Sequence, residues 1–251
     1  MFVLGLVGVA ALVQAACAAR EVFAPGWGRG PSWQVLPPAD LRGLAYICLA
    51  VAAAVGVLLQ FVCRTGDLTI PLGGLGALGG YFYFAPPLHW GRRGVGEGIG
   101  AFCFGLLPVA AGLYLQCGHL LTEVLLYGLP LTFAAFNLLL LYGWPGPAGQ
   151  GAPPAPSGLA SRLQPVAAAL LYTIFNVLTI LGLVAILLFP ASALPWRAGL
   201  WPLLLLAVVN QELVKRKFYL EETGITRLAR LTLALHLGLG LVFVLMLWQR
   251  A

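Results

Sequence analysis

The chain has 251 residues, 61% hydrophobic and 9% charged, with a formal net charge of +6. Soluble domains carry about a quarter charged residues, so this composition, with a mean hydropathy of +0.94, excludes a water-soluble globule. The positive balance does not point to nucleic acid, because no segment supplies a soluble basic surface with base-stacking aromatics.

A hydrocarbon core of roughly 30 Å needs about 20 residues of helix. Apolar stretches of that order recur at 1–19, 43–62, 68–88, 97–117, 120–143, 165–189, 198–214 and 231–249, too long and too apolar for strands. The expectation is an all-α protein, one domain over 1–251, with about eight transmembrane helices bundled around a central lipid-facing cavity that opens near the cytoplasmic surface. The first stretch has the small residues of a signal peptide near Ala15 to Ala19. It has no basic leading region, and Arg20 follows the apolar run, so it is read as a retained helix.

The joints carry their own signals. Phe23 to Pro38 is a soft loop whose Trp27 and Trp33 are expected at headgroup level. Pro86 and Pro87 end the third stretch and fix the exit of the chain, with Tyr83 just before them. GVGEGIG, Gly94 to Gly100, resembles a dinucleotide loop but lies in no βαβ unit. Gly76 with Gly80, and Gly96 with Gly100, have the spacing that lets helices pack closely. Gly143 to Ser161, GWPGPAGQGAPPAPSGLAS, is too rich in Gly and Pro for a helix and reads as a flexible loop. VKRKFYLEETGITRLAR, from Val214, suits an interfacial helix against anionic lipid.

Lys and Arg accumulate in cytoplasmic loops. Arg20, Arg29, Arg42, Arg92, Arg93, Arg162, Lys215, Arg216, Lys217, Arg227 and Arg230 fall in the odd loops, against Arg64, Arg197 and Arg250 on the other side. The odd loops are therefore expected in the cytoplasm and both termini outside, in a bacterial-type inner membrane. Cys17, Cys48, Cys63, Cys103 and Cys117 show no CxxC spacing and read as buried small hydrophobes. His89, His119 and His236 are scattered and make no metal or haem pattern. Nearly all charges fall at helix ends, which disfavours a transporter or channel.

Several motifs then carry a resemblance. Tyr83 to Glu97 reads YFAPPLHWGRRGVGE and Phe102 to Gly118 reads FCFGLLPVAAGLYLQCG. Together they resemble the fourth and fifth transmembrane segments of UbiA-type aromatic prenyltransferases, closest to the menaquinone branch. Leu36 to Leu41, the segment from Phe136 and Asn137 to Leu141, and GLASRL from Gly158 are similar to further family segments, so the resemblance covers about residues 8–190. It implies a helical bundle whose cytoplasmic loops carry the chemistry, with the first helix here standing where the family has its second.

The family's chemistry rests on two aspartate-rich motifs, whose paired carboxylates hold Mg²⁺ and neutralise a diphosphate leaving group. No two of this chain's carboxylates lie three or four residues apart. At the first motif the resemblance places Gln14, Ala18 and Glu21, and at the second Gly146 and Gln150. The family's lysine turn has no counterpart in Gly151 to Ser157. Glu21 is the catalytic candidate if the chain is active, with Mg²⁺ as its cofactor. Arg92, Arg93 and Arg162 can hold an anionic headgroup or simply anchor the positive-inside topology. Asn137 can meet a ligand headgroup or bridge helices, and the same two roles are open to Asn176 and Asn210. Tyr83 is expected to roof the lipid site.

The function expected is that of a prenyltransferase-like membrane protein without catalysis. It would bind an isoprenoid, quinone or pigment lipid, serve as a subunit of a larger membrane complex, or both. The alternative is an active prenyltransferase with a divergent site.

Overall fold

A computed structural model describes residues 2–24, 36–120, 122–144, 158–188 and 195–248. Among them every regular element is helical: α1 (Phe2–Phe23), α2 (Pro38–Val57, ending in a π turn, Leu58–Val62), α3 (Thr69–Tyr81), α4 (Gly96–Phe104), α5 (Leu106–Cys117), α6 (Glu123–Tyr142), α7 (Leu159–Arg162), α8 (Pro165–Leu188), α9 (Leu200–Lys215) and α10 (Glu222–Trp248), with short 3-10 turns between some of them. Seven helices among the described residues are long and apolar enough to cross a membrane, α4 and α5 together counting as one. The protein is an integral membrane protein of the all-α class.

Local chemistry sets the helix ends. Pro38 and Pro165 open α2 and α8, where a missing N–H costs nothing. Glu123 and Glu222 lie in the first turns of α6 and α10, and Arg20 and Lys215 in the last turns of α1 and α9, each with the sign that the helix dipole favours. Gly118, at φ 74°, closes α5 by donating its N–H to the Tyr114 carbonyl at 2.8 Å.

The C-terminal half is a closed ring of four helices. α6 packs on α8, α8 on α9, α9 on α10, and α10 back on α6. Neighbours run antiparallel: Pro130 of α6 meets Gly182 of α8, while Phe136 stacks on Phe175 at 4.0 Å. Tyr127, Tyr172, Leu183, Leu235, Leu239 and Phe243 are almost wholly enclosed in its interior. Lipid tails are as apolar as these side chains, so it is close packing that holds the ring.

The N-terminal half is looser. α1 and α2 form a hairpin, and α3 runs beside α1 with Gly76 against Leu12 and Gly80 against Ala16, the close approach their spacing predicts. α4 and α5 join this half to α6.

Three segments differ from the sequence reading. The stretch 68–88 is a 13-residue helix, α3, followed by turns. Pro86 and Pro87 offer no N–H to continue a helix. The chain folds back instead, and the N–H groups of Trp90 and Gly91 donate to the carbonyls of Phe82 and Tyr83 at 3.3 and 3.0 Å. Although short, α3 connects the two ends of the bundle. At its start the Leu68 N–H donates to the Tyr114 hydroxyl near the end of α5 (2.9 Å), and at its close the Tyr81 ring sits 6.5 Å from Phe23 at the end of α1.

The stretch 97–117 is likewise not one helix but breaks at Gly105, where a side chain would collide with the backbone of Thr132 on α6. The basic segment after Val214 is not an interfacial helix. After a turn at Phe218–Leu220, residues from Glu222 onward are the first turns of α10, with Ile225 and Leu228 in the core. Trp27 and Trp33 lie outside the described residues.

Candidate functional site

The residues singled out for headgroup binding lie mostly at one end of the bundle, where α1 ends, α4 begins and α7 lies. Glu97, in the first turn of α4, is 2% exposed. Its Oε1 accepts the N–H of Leu159 at 2.6 Å, so one carboxylate holds the start of α7 to α4 across 62 residues of sequence. Gly158 and Gly143 make room for it. A Cβ on Gly158 would lie 2.6 Å from Oε1, and one on Gly143 3.5 Å away.

Tyr83 and Arg162 flank this carboxylate. The Tyr83 ring packs beside Gly100, one turn along α4 from Glu97. Its phenol is pushed up by burial first and by the nearby Glu97 charge second. Arg162 donates to the backbone carbonyl of Arg92 and lies against Gly94. Arg92 reaches the carbonyl of Phe23 at 3.4 Å, and Arg93 reaches that of Pro87 at 3.2 Å. The guanidinium groups thus bond the protein's own carbonyls and tie the turn after α3 to α1 and α7.

Glu21 lies near this cluster but is engaged by its neighbour: Nε of Arg20 donates to Glu21 Oε1 at 3.1 Å, and a second guanidinium nitrogen approaches the same oxygen. Glu21 Oε2 and Glu97 Oε2 are buried without a partner among the described residues. Mg²⁺, which the prenyltransferase resemblance implies, takes several oxygen ligands in octahedral geometry. No group of three His, Cys, Asp or Glu side chains converges among the described residues, and Gly146 and Gln150 lie outside them. A single carboxylate facing its own arginine does not fit the ion.

Asn137 is not part of the end cluster. It is 1% exposed on α6, on the side whose Pro130 meets α8, and its Oδ1 has no partner among the described residues. Asn176 does bridge helices, as one of its two possible roles required, donating to the Ala207 carbonyl at 2.9 Å and to Gln211 Oε1 at 3.1 Å.

Glu97 is the residue that motif reading quoted without assigning it a role. Its signal was its isolation, for no other carboxylate occurs between Asp67 and Glu123. A lone acid at the edge of an apolar run asks for a partner.

These features define a polytopic helical membrane protein with a hydrogen-bonded cap of charged residues at one end. No protein-family model, curated protein or solved structure matches the chain.

Proposed function

We propose that this chain is a non-catalytic membrane protein of UbiA-like design that holds an isoprenoid, quinone or pigment lipid between its helices. In this reading it sits in a bacterial-type inner membrane, with the Arg92 and Arg162 end in the cytoplasm, and serves as a subunit of a larger membrane complex. The observation that carries the reading is the engagement of the acids at the end where the resemblance places chemistry. Glu97 is bonded to the Leu159 N–H, and Glu21 to Arg20. Ionising an allylic diphosphate leaves concentrated negative charge that a metal ion neutralises, and two separately engaged acids give that ion no shared set of ligands.

A lipid-binding role is supported by the groove between α6 and α8. It has a volume of about 450 Å³ and is lined by apolar side chains, among them Leu129, Phe133 and Leu181. Pro130 pressing on Gly182 forms part of its wall.

The test is mass spectrometry of the protein purified from its native membrane in mild detergent, together with a prenyl-transfer assay. The expected result is a co-purifying isoprenoid, quinone or pigment, with stoichiometric partner proteins and no transfer product. Mg²⁺-dependent product that disappears in Glu21→Gln would overturn the proposal and identify an active prenyltransferase.

A further inference from the structure

A polar layer crosses the middle of the ring formed by α6, α8, α9 and α10. On one diagonal, Tyr172 of α8 and Thr232 of α10 share a 2.7 Å hydrogen bond between hydroxyls. Asn137 of α6 and Asn210 of α9 occupy the other diagonal. Asn137 is two helical turns beyond Pro130, which faces Gly182 of α8, so the two lie on one side of α6. Asn210 is two turns beyond Leu203, which meets Gly238 of α10, and one turn beyond Ala207, whose carbonyl takes the Asn176 amide. The heights agree as well. Phe136 stacks on Phe175, and their chain neighbours are Asn137 and Asn176; Asn176 bonds Gln211, the neighbour of Asn210.

Asn137 is 1% exposed and Asn210 is 0% exposed, yet Oδ1 of the first and both Oδ1 and Nδ2 of the second have no partner among the described residues. His236, one turn beyond Thr232, has a buried Nδ1 without a partner among the described residues. Buried polar groups are rarely left this way, and a cluster of them calls for an occupant.

The chemistry of the layer limits that occupant. It offers acceptors and a donor but no charge, since Glu212 and Arg230, the nearest charged residues on α9 and α10, are exposed. A bare cation would leave the Asn210 Nδ2–H unsatisfied, and a diphosphate would find no cation. A carbonyl accepts from Nδ2 and a hydroxyl donates to Oδ1, so an uncharged oxygen headgroup fits. The apolar groove between α6 and α8 runs toward this level. It ends at Phe133, one turn of α6 before Asn137, and the Phe136 and Phe175 rings, stacked at 4.0 Å, stand between the helices at that level, so a head that reaches Asn137 passes beside this stack.

We propose that this crevice binds a lipid with a long apolar tail and an uncharged oxygen headgroup, a quinone or a lipid alcohol, with the tail in the groove and the head on Asn137 and Asn210. The inference rests on the lipid-binding reading above and sharpens it, because it specifies a neutral head and places it away from the arginines.

The test is calorimetric titration of the full-length protein in nanodiscs with decylbenzoquinone, with farnesol, and with farnesyl diphosphate as the charged counterpart. At least one neutral probe is expected to bind. Asn137→Leu and Asn210→Leu should each weaken it by about tenfold or more, as loss of a buried hydrogen bond does. Leu181→Trp, which fills the groove from a 58% exposed position, should weaken it too, and Arg162→Gln should not. Binding of the quinone alone or of the alcohol alone supports the proposal and names the head. It is overturned if no neutral probe binds, if the folded asparagine variants bind as the native protein does, or if farnesyl diphosphate binds in preference and requires Arg162. Leu181→Trp lies on the lipid face and decides the matter if an asparagine variant does not fold; undiminished binding there overturns the proposal. Native lipid that co-purifies equally with both asparagine variants removes this head site while leaving the broader lipid-binding reading intact.

Discussion

Glu97 and Asn210 are both buried polar residues on membrane helices, 2% and 0% exposed, yet their surroundings differ. Glu97 stands at the end of the bundle, with two glycines cleared around it and the Leu159 N–H on its oxygen at 2.6 Å. Asn210 stands in the middle of the four-helix ring with both amide atoms unpartnered. At the end of the bundle charged groups bond the protein's own backbone and hold loops in place. At its centre neutral groups are left without protein partners. A search guided by charge therefore arrives at the end cluster, where Glu21 and Glu97 each keep one engaged oxygen and one without a partner among the described residues, and a search guided by buried neutral groups arrives at the ring.

Substitutions can break or sharpen this contrast, each read by reversible unfolding in mixed micelles. The largest effect is expected at Gly105, the hinge that presses α4 and α5 onto α6. Gly105→Ala drives a methyl into the Thr132 backbone and should cost about 3 kcal/mol. Glu97→Ala removes the acceptor for a buried N–H and should cost about 2 kcal/mol. Glu97→Gln keeps an acceptor oxygen and should lose clearly less; equal losses would mean that Glu97 does not act through this bond.

The asparagines should then separate. Asn176→Leu loses two interhelical hydrogen bonds and should cost about 1 kcal/mol. Asn210→Leu replaces an unpartnered amide by an apolar group and should leave the empty protein's stability within about 0.5 kcal/mol or raise it. A large loss at Asn210 would show that the native protein satisfies this amide internally. The smallest effect is expected at Arg162→Gln, an exposed side chain on a backbone carbonyl, at about 0.5 kcal/mol or less.

Much of the architecture was legible from hydropathy alone, because a bilayer-length apolar run has few other stable forms. α2, α6, α8 and α9 lie close to where their runs predict them. α3 was overestimated because its apolar run continues past Tyr81 to Ala85 and the paired prolines, and composition does not show where the chain leaves the helix. α10 was underestimated because the basic residues of 214–230 suggested an interface, whereas Ile225 and Leu228 are drawn into the core.

The end cluster was partly legible, since Tyr83, Arg92 and Arg162 do assemble there. Its organising residue, Glu97, was not, because the partner it holds lies 62 residues away. The polar layer was harder to read: Tyr172 with Asn176, and Thr232 with His236, stand one helical turn apart, but these pairs and Asn210 lie on three helices whose packing the sequence does not give.

The sequence by itself determined that the chain is a membrane-embedded helical protein, that most of its cations gather in a few segments beside the apolar runs, and that no two of its carboxylates stand three or four residues apart. These follow from composition and from spacing along the chain. Only the tertiary structure decided that the conspicuous arginines bond backbone carbonyls, and that the three asparagines are buried on helices of one four-helix ring, Asn176 as a bridge between two of them. Hydrogen-bond satisfaction is a property of pairs brought together by packing, and packing pairs residues whose separation in sequence says nothing about their partners.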